Sequence, residues 1–366
     1  MILVIGAGSI GKRHLANLAA LGVQDLIVAD PREDRLKEAH ERLRSSGANS
    51  VKFVPVRSDR EAYDRRLPIQ GIIIATPPRY HPAAIRNAVE AGCPIFCEKP
   101  LACDDEEWES LSGLVEHVEK SGLLSMVAYN YRFNAQLKAL RQMLKENIAG
   151  RVLSVRGTFS ENLREWHPWE GLNFYMSSQQ QGGGALLDES HLIDLCRWLF
   201  GGISEASGIS TTLSSLRGEP GFDVDDLVEI LVRFESGAIG SLHMELFGKH
   251  HKKRLEVIGE EATLFWNFDN TDIESNGIQI WKGRRVTLSP ETTRRVPEKV
   301  IPSDGRIRNE MYREEMAYFL ESIRLNRHLR SDVPDLRDGL TTLDIIRTVR
   351  RGCTGIKEGA VVQRNA

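Results

Sequence analysis

The run Gly6-Ala7-Gly8-Ser9-Ile10-Gly11 spaces three glycines as a loop must if its backbone is to touch a phosphate chain. Gly6 permits a tight turn, Gly8 lets the backbone approach a pyrophosphate, and Gly11 allows a helix to pack closely on a strand. Ser9 and Ile10 open that helix and aim its first N–H groups at an anion. Asp30 stands nineteen residues after Gly11, at the end of the next apolar run, where a carboxylate can accept ribose hydroxyls. A carboxylate there repels a 2′-phosphate, which favours NAD over NADP. Arg32 keeps NADP open, because its guanidinium could clamp that same phosphate.

Two further groups have acid–base chemistry. Lys99 lies in Cys97-Glu98-Lys99-Pro100, at the end of an apolar run, although a lysine at a strand end is by itself usually a solvated charge. His191 lies on a predicted helix, where a single histidine is more often structural than catalytic. Asp194, three residues on, shares its helical face, and Asp188 precedes it by three. Thr76-Pro77-Pro78 follows another apolar run, and a proline-fixed loop there would lie over a nucleotide crevice. Trp166-His167-Pro168-Trp169-Glu170 offers aromatic faces and hydroxyl-binding groups suited to a pyranose; its alternative is a tryptophan-anchored loop packed on a sheet.

The elements that must position these residues change character along the chain. Apolar runs at 2–5, 26–29, 71–75, 95–97 and 124–128, with a weaker strand at 51–54, alternate with helical patterns near 10–21, 32–45, 80–91 and 105–120. That alternation specifies a doubly wound parallel sheet. After about residue 150 apolar and polar residues alternate, with hairpins expected at 227–234/239–246 and 255–258/262–265. Helices are expected near 185–200, 309–325 and 336–351. We expect a Rossmann domain over 1–124 and a domain built on an open, mainly antiparallel sheet over 125–366, with closing helices able to pack back on the first domain.

Composition narrows the partners. The 366 residues are 41% apolar and 27% charged, with a formal net charge of −3, which gives no electrostatic case for nucleic acid or an acidic membrane. The basic run from Lys249 to Arg254 reads as a solvated strand end. Five cysteines without a repeated pair spacing suit free thiols in a reducing cytosol and no metal site. The opening residues show no basic targeting region and no run reaches a membrane span, so a cytoplasmic location is expected.

Glycine loop, Thr76-Pro77-Pro78 and Glu98-Lys99-Pro100, in this order, resemble the glucose–fructose oxidoreductase, inositol dehydrogenase and MocA-like family. The resemblance extends through Tyr129-Asn130-Tyr131-Arg132-Phe133, Gly182-Gly183-Gly184 and His191-Leu192-Ile193-Asp194 to Trp198, nearly the whole chain. It implies an NAD(P)-dependent oxidoreductase that moves a hydride between nicotinamide and a ring hydroxyl or ketone of a sugar or cyclitol, and a dimer or tetramer joined through the outer sheet face.

By the same resemblance Lys99 sits beside the nicotinamide, whose positive charge would lower its pKa, and His191 exchanges the proton while Asp188 orients it or binds a substrate hydroxyl. Many members carry the aspartate four residues before the histidine; here it is three, so Glu189 stands as an alternative to Asp188. Thr76, Pro77, His81 and Glu98 complete the expected cofactor set, and Asn130, Arg132, Trp166, His167 and Tyr175 the expected substrate set. Two other functions fit the same motifs: glycoside cleavage by oxidation, elimination and re-reduction on a recycled cofactor, and a non-catalytic nucleotide sensor.

Overall fold

A computed structural model describes residues 1–166, 174–269, 276–282, 299–302 and 307–352. Its first part runs β1 (Ile2–Ile5), α1 (Ser9–Ala20), β2 (Asp25–Ala29), α2 (Glu33–Ser45), β3 (Lys52–Val56) and α3 (Asp59–Asp64). There follow β4 (Gly71–Ile74), α4 (His81–Glu90), β5 (Ile95–Cys97), α5 (Asp105–Ser121) and β6 (Ser125–Val127). The six strands form one parallel sheet in the order β3-β2-β1-β4-β5-β6. Leu3, Val4, Ile72, Ile73 and Phe96 are all fully buried, whichever way they point. Helices cover both faces, so these strands read as unbroken apolar runs and show no alternation. The strand order reverses between β1 and β4, and the crevice at their carboxyl ends is where this topology binds ligands. β6 belongs to this sheet, so the first layer continues past the boundary expected at residue 124.

The second part begins with α6 (Ala135–Lys145), a helix not anticipated from sequence, and continues with β7 (Val152–Asn162), α7 (Leu163–Trp166), α8 (Ala185–Asp188) and α9 (His191–Phe200). Then come β8 (Ile203–Thr211), β9 (Leu227–Phe234), β10 (Ile239–Glu245), β11 (Phe247–Gly259), β12 (Ala262–Asp269), β13 (Gly277–Lys282) and β14 (Lys299–Pro302). Two helices close it, α10 (Ile307–Leu325) and α11 (Leu336–Gly352). Its eight strands pair in the order β14-β13-β12-β11-β7-β10-β9-β8. Every neighbour is antiparallel except β7 and β10, which run parallel. Both expected hairpins form, and Gly237 takes φ +86° in the β9–β10 turn.

Along β9, Val228, Ile230, Val232 and Phe234 are buried and the residues between them face outward, as one covered face requires. α9 lies against that covered face: a Cβ added to Gly157 of β7 would come within 2.7 Å of Leu192. The helix expected near 185–200 is broken at Glu189-Ser190 into α8 and α9, which places His191 at the first position of a helix. α10 packs on α1, and α11 on α5 and β6 as well as β8 and α9, so the closing helices clamp the two sheets together.

One expectation is reversed. The basic run ending at Arg254 lies within β11, and Lys253 points into the covered face with only 5% of its surface exposed. Strand alternation splits the run, with Lys252 and Arg254 on the opposite side. Among the described residues no helix is long and apolar enough to cross a membrane.

Candidate active site

The glycine loop is shaped by what a side chain would strike. A Cβ on Gly6, whose φ is +98°, would sit 2.6 Å from the Ala75 carbonyl oxygen, and one on Gly11 would sit 1.9 Å from that of Gly6. A Cβ on Gly8 would meet nothing within 4 Å. The backbone at Gly8 is therefore open to an approaching group, and α1 begins there with no side-chain cap and no acidic residue in its first turn. Its first N–H groups are left for an anion, as a pyrophosphate requires. Ser9 is exposed and Ile10 half-buried in this first turn.

Asp30, at the end of β2, accepts from the Ala7 backbone N–H (2.8 Å) and the Arg32 backbone N–H (2.9 Å). These bonds fix the carboxylate at the rim of the loop. The Arg32 guanidinium ion-pairs with Asp34, Nε to Oδ1 at 3.1 Å. Thr76, just past β4, has a buried hydroxyl with no protein partner, and Pro77 is half-buried beside it. An open glycine, an uncapped helix, a ribose-height carboxylate and an orphaned hydroxyl together fit a dinucleotide.

At the end of β5, Lys99 crosses to the second part of the fold. Its ammonium donates to Asp188 Oδ1 (2.8 Å) and to the Asp188 carbonyl (2.7 Å). The Tyr175 hydroxyl donates to the same Oδ1 (3.2 Å). Burial works against the charge on Lys99, but the Asp188 carboxylate and its hydrogen bond, helped by Glu189 and Glu98, outweigh it and hold the ammonium above its ordinary pKa. Among the protein's own groups the shift thus runs opposite to the lowering expected from a nicotinamide.

His191 is pushed well below the ordinary histidine value by burial, then by Lys99 and Lys253. Its position at the start of α9 adds the positive end of a helix dipole. Its Nδ1 is buried without a protein partner, and Tyr129 and Tyr131 meet the ring edge-on at 5.8 and 5.1 Å between centroids. The fold therefore brings together a charged lysine, an aspartate that holds it, and a neutral imidazole. Asp188 takes the lysine; Glu189 turns instead to Lys253 Nζ at 2.9 Å.

Several expected site residues serve elsewhere. His81 is fully buried, with its ring nitrogens 2.7 Å from the Pro100 carbonyl and 2.8 Å from that of Thr76. It ties the two loops together and presents no polar atom to a cofactor. Arg132 is 4% exposed and gives a forked pair of bonds to Asp194, with a further bond to Asp338 Oδ2 (3.1 Å). Its charge is spent on carboxylates within the protein. Asn130 is buried with an unpartnered Oδ1. Glu98 meets His14 Nε2 of α1 at 2.7 Å, a partner that sequence reasoning missed. Trp166 ends α7, but its side chain and all of His167 lie outside the described residues. Among the described residues no three metal-ligating side chains converge.

Comparison with known proteins identifies the family and the fold. Residues 1–129 match the model of an oxidoreductase family with an NAD-binding Rossmann fold, and residues 137–265 match the GFO/IDH/MocA C-terminal domain. The chain is 30% identical over 293 residues to a levoglucosan dehydrogenase of Pseudarthrobacter phenanthrenivorans, covering 74% of each. It is 27% identical over 270 residues to a myo-inositol 2-dehydrogenase of Thermotoga maritima, covering 72% of this chain and 73% of that one. A solved levoglucosan dehydrogenase in complex with NADH and levoglucosan superposes with a TM-score of 0.76 at 26% identity, over 96% of both chains.

Proposed function

The chain belongs to the GFO/IDH/MocA family of NAD-binding oxidoreductases, and from that premise we propose that it oxidises a secondary CH–OH group of a sugar, anhydrosugar or cyclitol. The observation that carries this reading is the Lys99–Asp188 pair beside a neutral, buried His191. Gly6, Gly8, Ser9, Ile10, Gly11, Asp30 and Thr76 would hold NAD, which would supply the hydride acceptor. Lys99, kept charged by Asp188, donates a hydrogen bond to the substrate oxygen and stabilises the negative charge that grows there. His191 takes the hydroxyl proton, so the carbon loses a hydride and the oxygen a proton. Tyr175 and Asp188 orient the reacting hydroxyl. A sugar or cyclitol substrate is supported by the similarity to a levoglucosan dehydrogenase and a myo-inositol 2-dehydrogenase.

Initial rates of NADH formation with levoglucosan, myo-inositol, scyllo-inositol and common aldoses test this reading. Turnover of at least one class supports it. Tight NADH binding with no turnover on the whole panel would favour a nucleotide sensor instead.

The pH dependence follows from His191. Its neutral form is the base, and its folded pKa lies below 6.5, so kcat/KM for oxidation stays level through neutral pH. It falls only as pH drops through that lowered value, with the acid limb below about 6.5. The same group contributes stability that is present above the unfolded value and lost as pH falls through the folded one. An acid limb above 7 in the rate profile would contradict the assignment of His191.

Cofactor choice follows from Asp30. With the carboxylate anchored and Arg32 drawn to Asp34, NAD is expected to be used in preference to NADP. Asp30→Ser should lower NAD affinity about tenfold by removing a charge-assisted acceptor for the ribose. Fluorescence titration with NADH and NADPH checks this, and unchanged discrimination in the variant would count against it. Self-association is supported by the outer face of the second sheet, where exposed Ile209, Leu231 and Ile239 lie as diagonal neighbours on adjacent strands, Ile209 opposite Glu229 and Ile239 opposite Arg233.

A further inference from the structure

The proposed chemistry leaves a second buried charge cluster unused. Lys253 of β11 donates to Glu161 Oε1 of β7 at 2.7 Å and to Glu189 Oε2 at 2.9 Å. Its ammonium lies 4.3 Å from the centre of the Phe159 ring and 5.7 Å from that of Tyr131. His251 Nε2 meets the same Glu161 oxygen at 2.8 Å. All three charged partners, Lys253, Glu161 and Glu189, are almost wholly buried. Buried ion pairs add little over well-packed apolar side chains, so stability alone does not account for the cluster.

Two placements tie it to the site. Glu189 is the chain neighbour of Asp188, and its attachment to Lys253 leaves Asp188 as the carboxylate bonded to Lys99. Tyr131, beside the Lys253 ammonium, meets the His191 ring edge-on. The groups around that imidazole are Lys99 from β5, Tyr129 and Tyr131 from the turn after β6, Asp188 and Glu189 from the preceding chain, and Lys253 with Glu161 from the sheet.

We propose that Lys253 is a positioning residue, which draws Glu189 away from Lys99, so that Asp188 alone holds that lysine, and sets a fixed positive charge beside Tyr131, the ring that packs against His191. A like charge nearby raises the cost of charging an imidazole, so Lys253 adds to burial and Lys99 in keeping the His191 ring neutral and able to accept a proton. The proposal rests on His191 as the base, but its electrostatic core can be read without turnover.

NMR titration of the histidine ring signals in the full, cofactor-free chain provides that reading, with His191 identified by the signal lost in His191→Gln. In Lys253→Met the His191 pKa should rise by about one unit, a tenfold gain in proton affinity. Lys253→Arg, which keeps the charge, should return it toward the wild-type value. If Lys253→Met does not fold, Lys253→Met/Glu189→Gln removes one charge of each sign and leaves Glu161 paired with His251; the shift should keep its direction. In oxidation assays the acid limb of kcat/KM should move up by the same amount while NADH affinity stays within about threefold. A His191 titration unmoved within about 0.3 unit in a folded variant lacking Lys253 would overturn the proposal. Absence of turnover in the wild type, with the NMR shift present, would instead overturn the dehydrogenase reading.

Discussion

Replacing Lys99 with Met is expected to lower kcat/KM by roughly 10²- to 10⁴-fold, the range for removing a positioned acid–base group. NADH binding should stay within about tenfold, because the glycine loop and Asp30 are built on other strands. The loss should be large because, among the described residues, the buried cations near Lys99 are already engaged. Lys253 is engaged by Glu161 and Glu189, and Arg132 by Asp194 and Asp338. In the variant Asp188 keeps only the Tyr175 hydroxyl as a side-chain donor among the described contacts, and its charge then opposes the charge growing on the substrate oxygen. Lys99→Arg should not restore activity, since a planar fork cannot replace a point charge at this spacing. His191→Ala should produce a loss of similar size. Turnover in parallel with NADH fluorescence titration checks both, and near-wild-type rates in either variant would remove that residue from the chemistry.

The largest expected effect on stability lies one helical turn beyond His191. Asp194 receives two bonds from Arg132, Nε at 2.9 Å and Nη2 at 2.5 Å, and both side chains are almost fully buried. Burial opposes the guanidinium charge, but Asp194 and then Asp338 more than offset this and hold its proton more tightly than usual. Asp194→Ala leaves that cation in the interior with its main partner removed, and should cost about 3–5 kcal/mol. Replacing both residues, as Arg132→Met/Asp194→Leu, should cost much less than Asp194→Ala alone, because no unpaired charge is left behind. Urea unfolding at neutral pH measures both. A loss below about 1 kcal/mol for Asp194→Ala would show that water or another group reaches Arg132.

These two predictions divide along what could be read from sequence. The parallel sheet was legible because most of its strands are largely apolar runs followed by a helical pattern, and the glycine loop sits at the junction of the first such pair. Lys99 and His191 were candidates because the resemblance attaches to them residue by residue; the sequence placed His191 inside a helix over 185–200, and the break at Glu189-Ser190 puts it at the start of α9. Arg132 was not, since its partner Asp194 lies 62 residues away and only the fold joins them. An arginine in a motif near a substrate cleft and an arginine that locks two helices look alike in one dimension. His14 and Glu98, 84 residues apart, were hidden in the same way.

Lys253 was obscured for a different reason. Five of its neighbours from Lys249 to Arg254 are also basic, and composition makes such a run a solvated surface. Strand alternation turns every second residue inward, but sequence did not show which residues would be chosen, because the ladder to β7 shifts register between Phe247 and Lys252. Asp188 and Glu189 were similarly ambiguous. The break between α8 and α9 settles their directions: Asp188 meets Lys99, and Glu189 meets Lys253.

Direct hydride transfer from a carbinol carbon to NAD, with Lys99 and His191 proposed at its oxygen, is checked by placing deuterium on that carbon of the best substrate in the panel. Deuterium is expected at the nicotinamide C4 of the NADH formed, with a primary isotope effect on kcat/KM. NADH formed without the label, or substrate consumed with no net NADH and deuterium released to water, would contradict it.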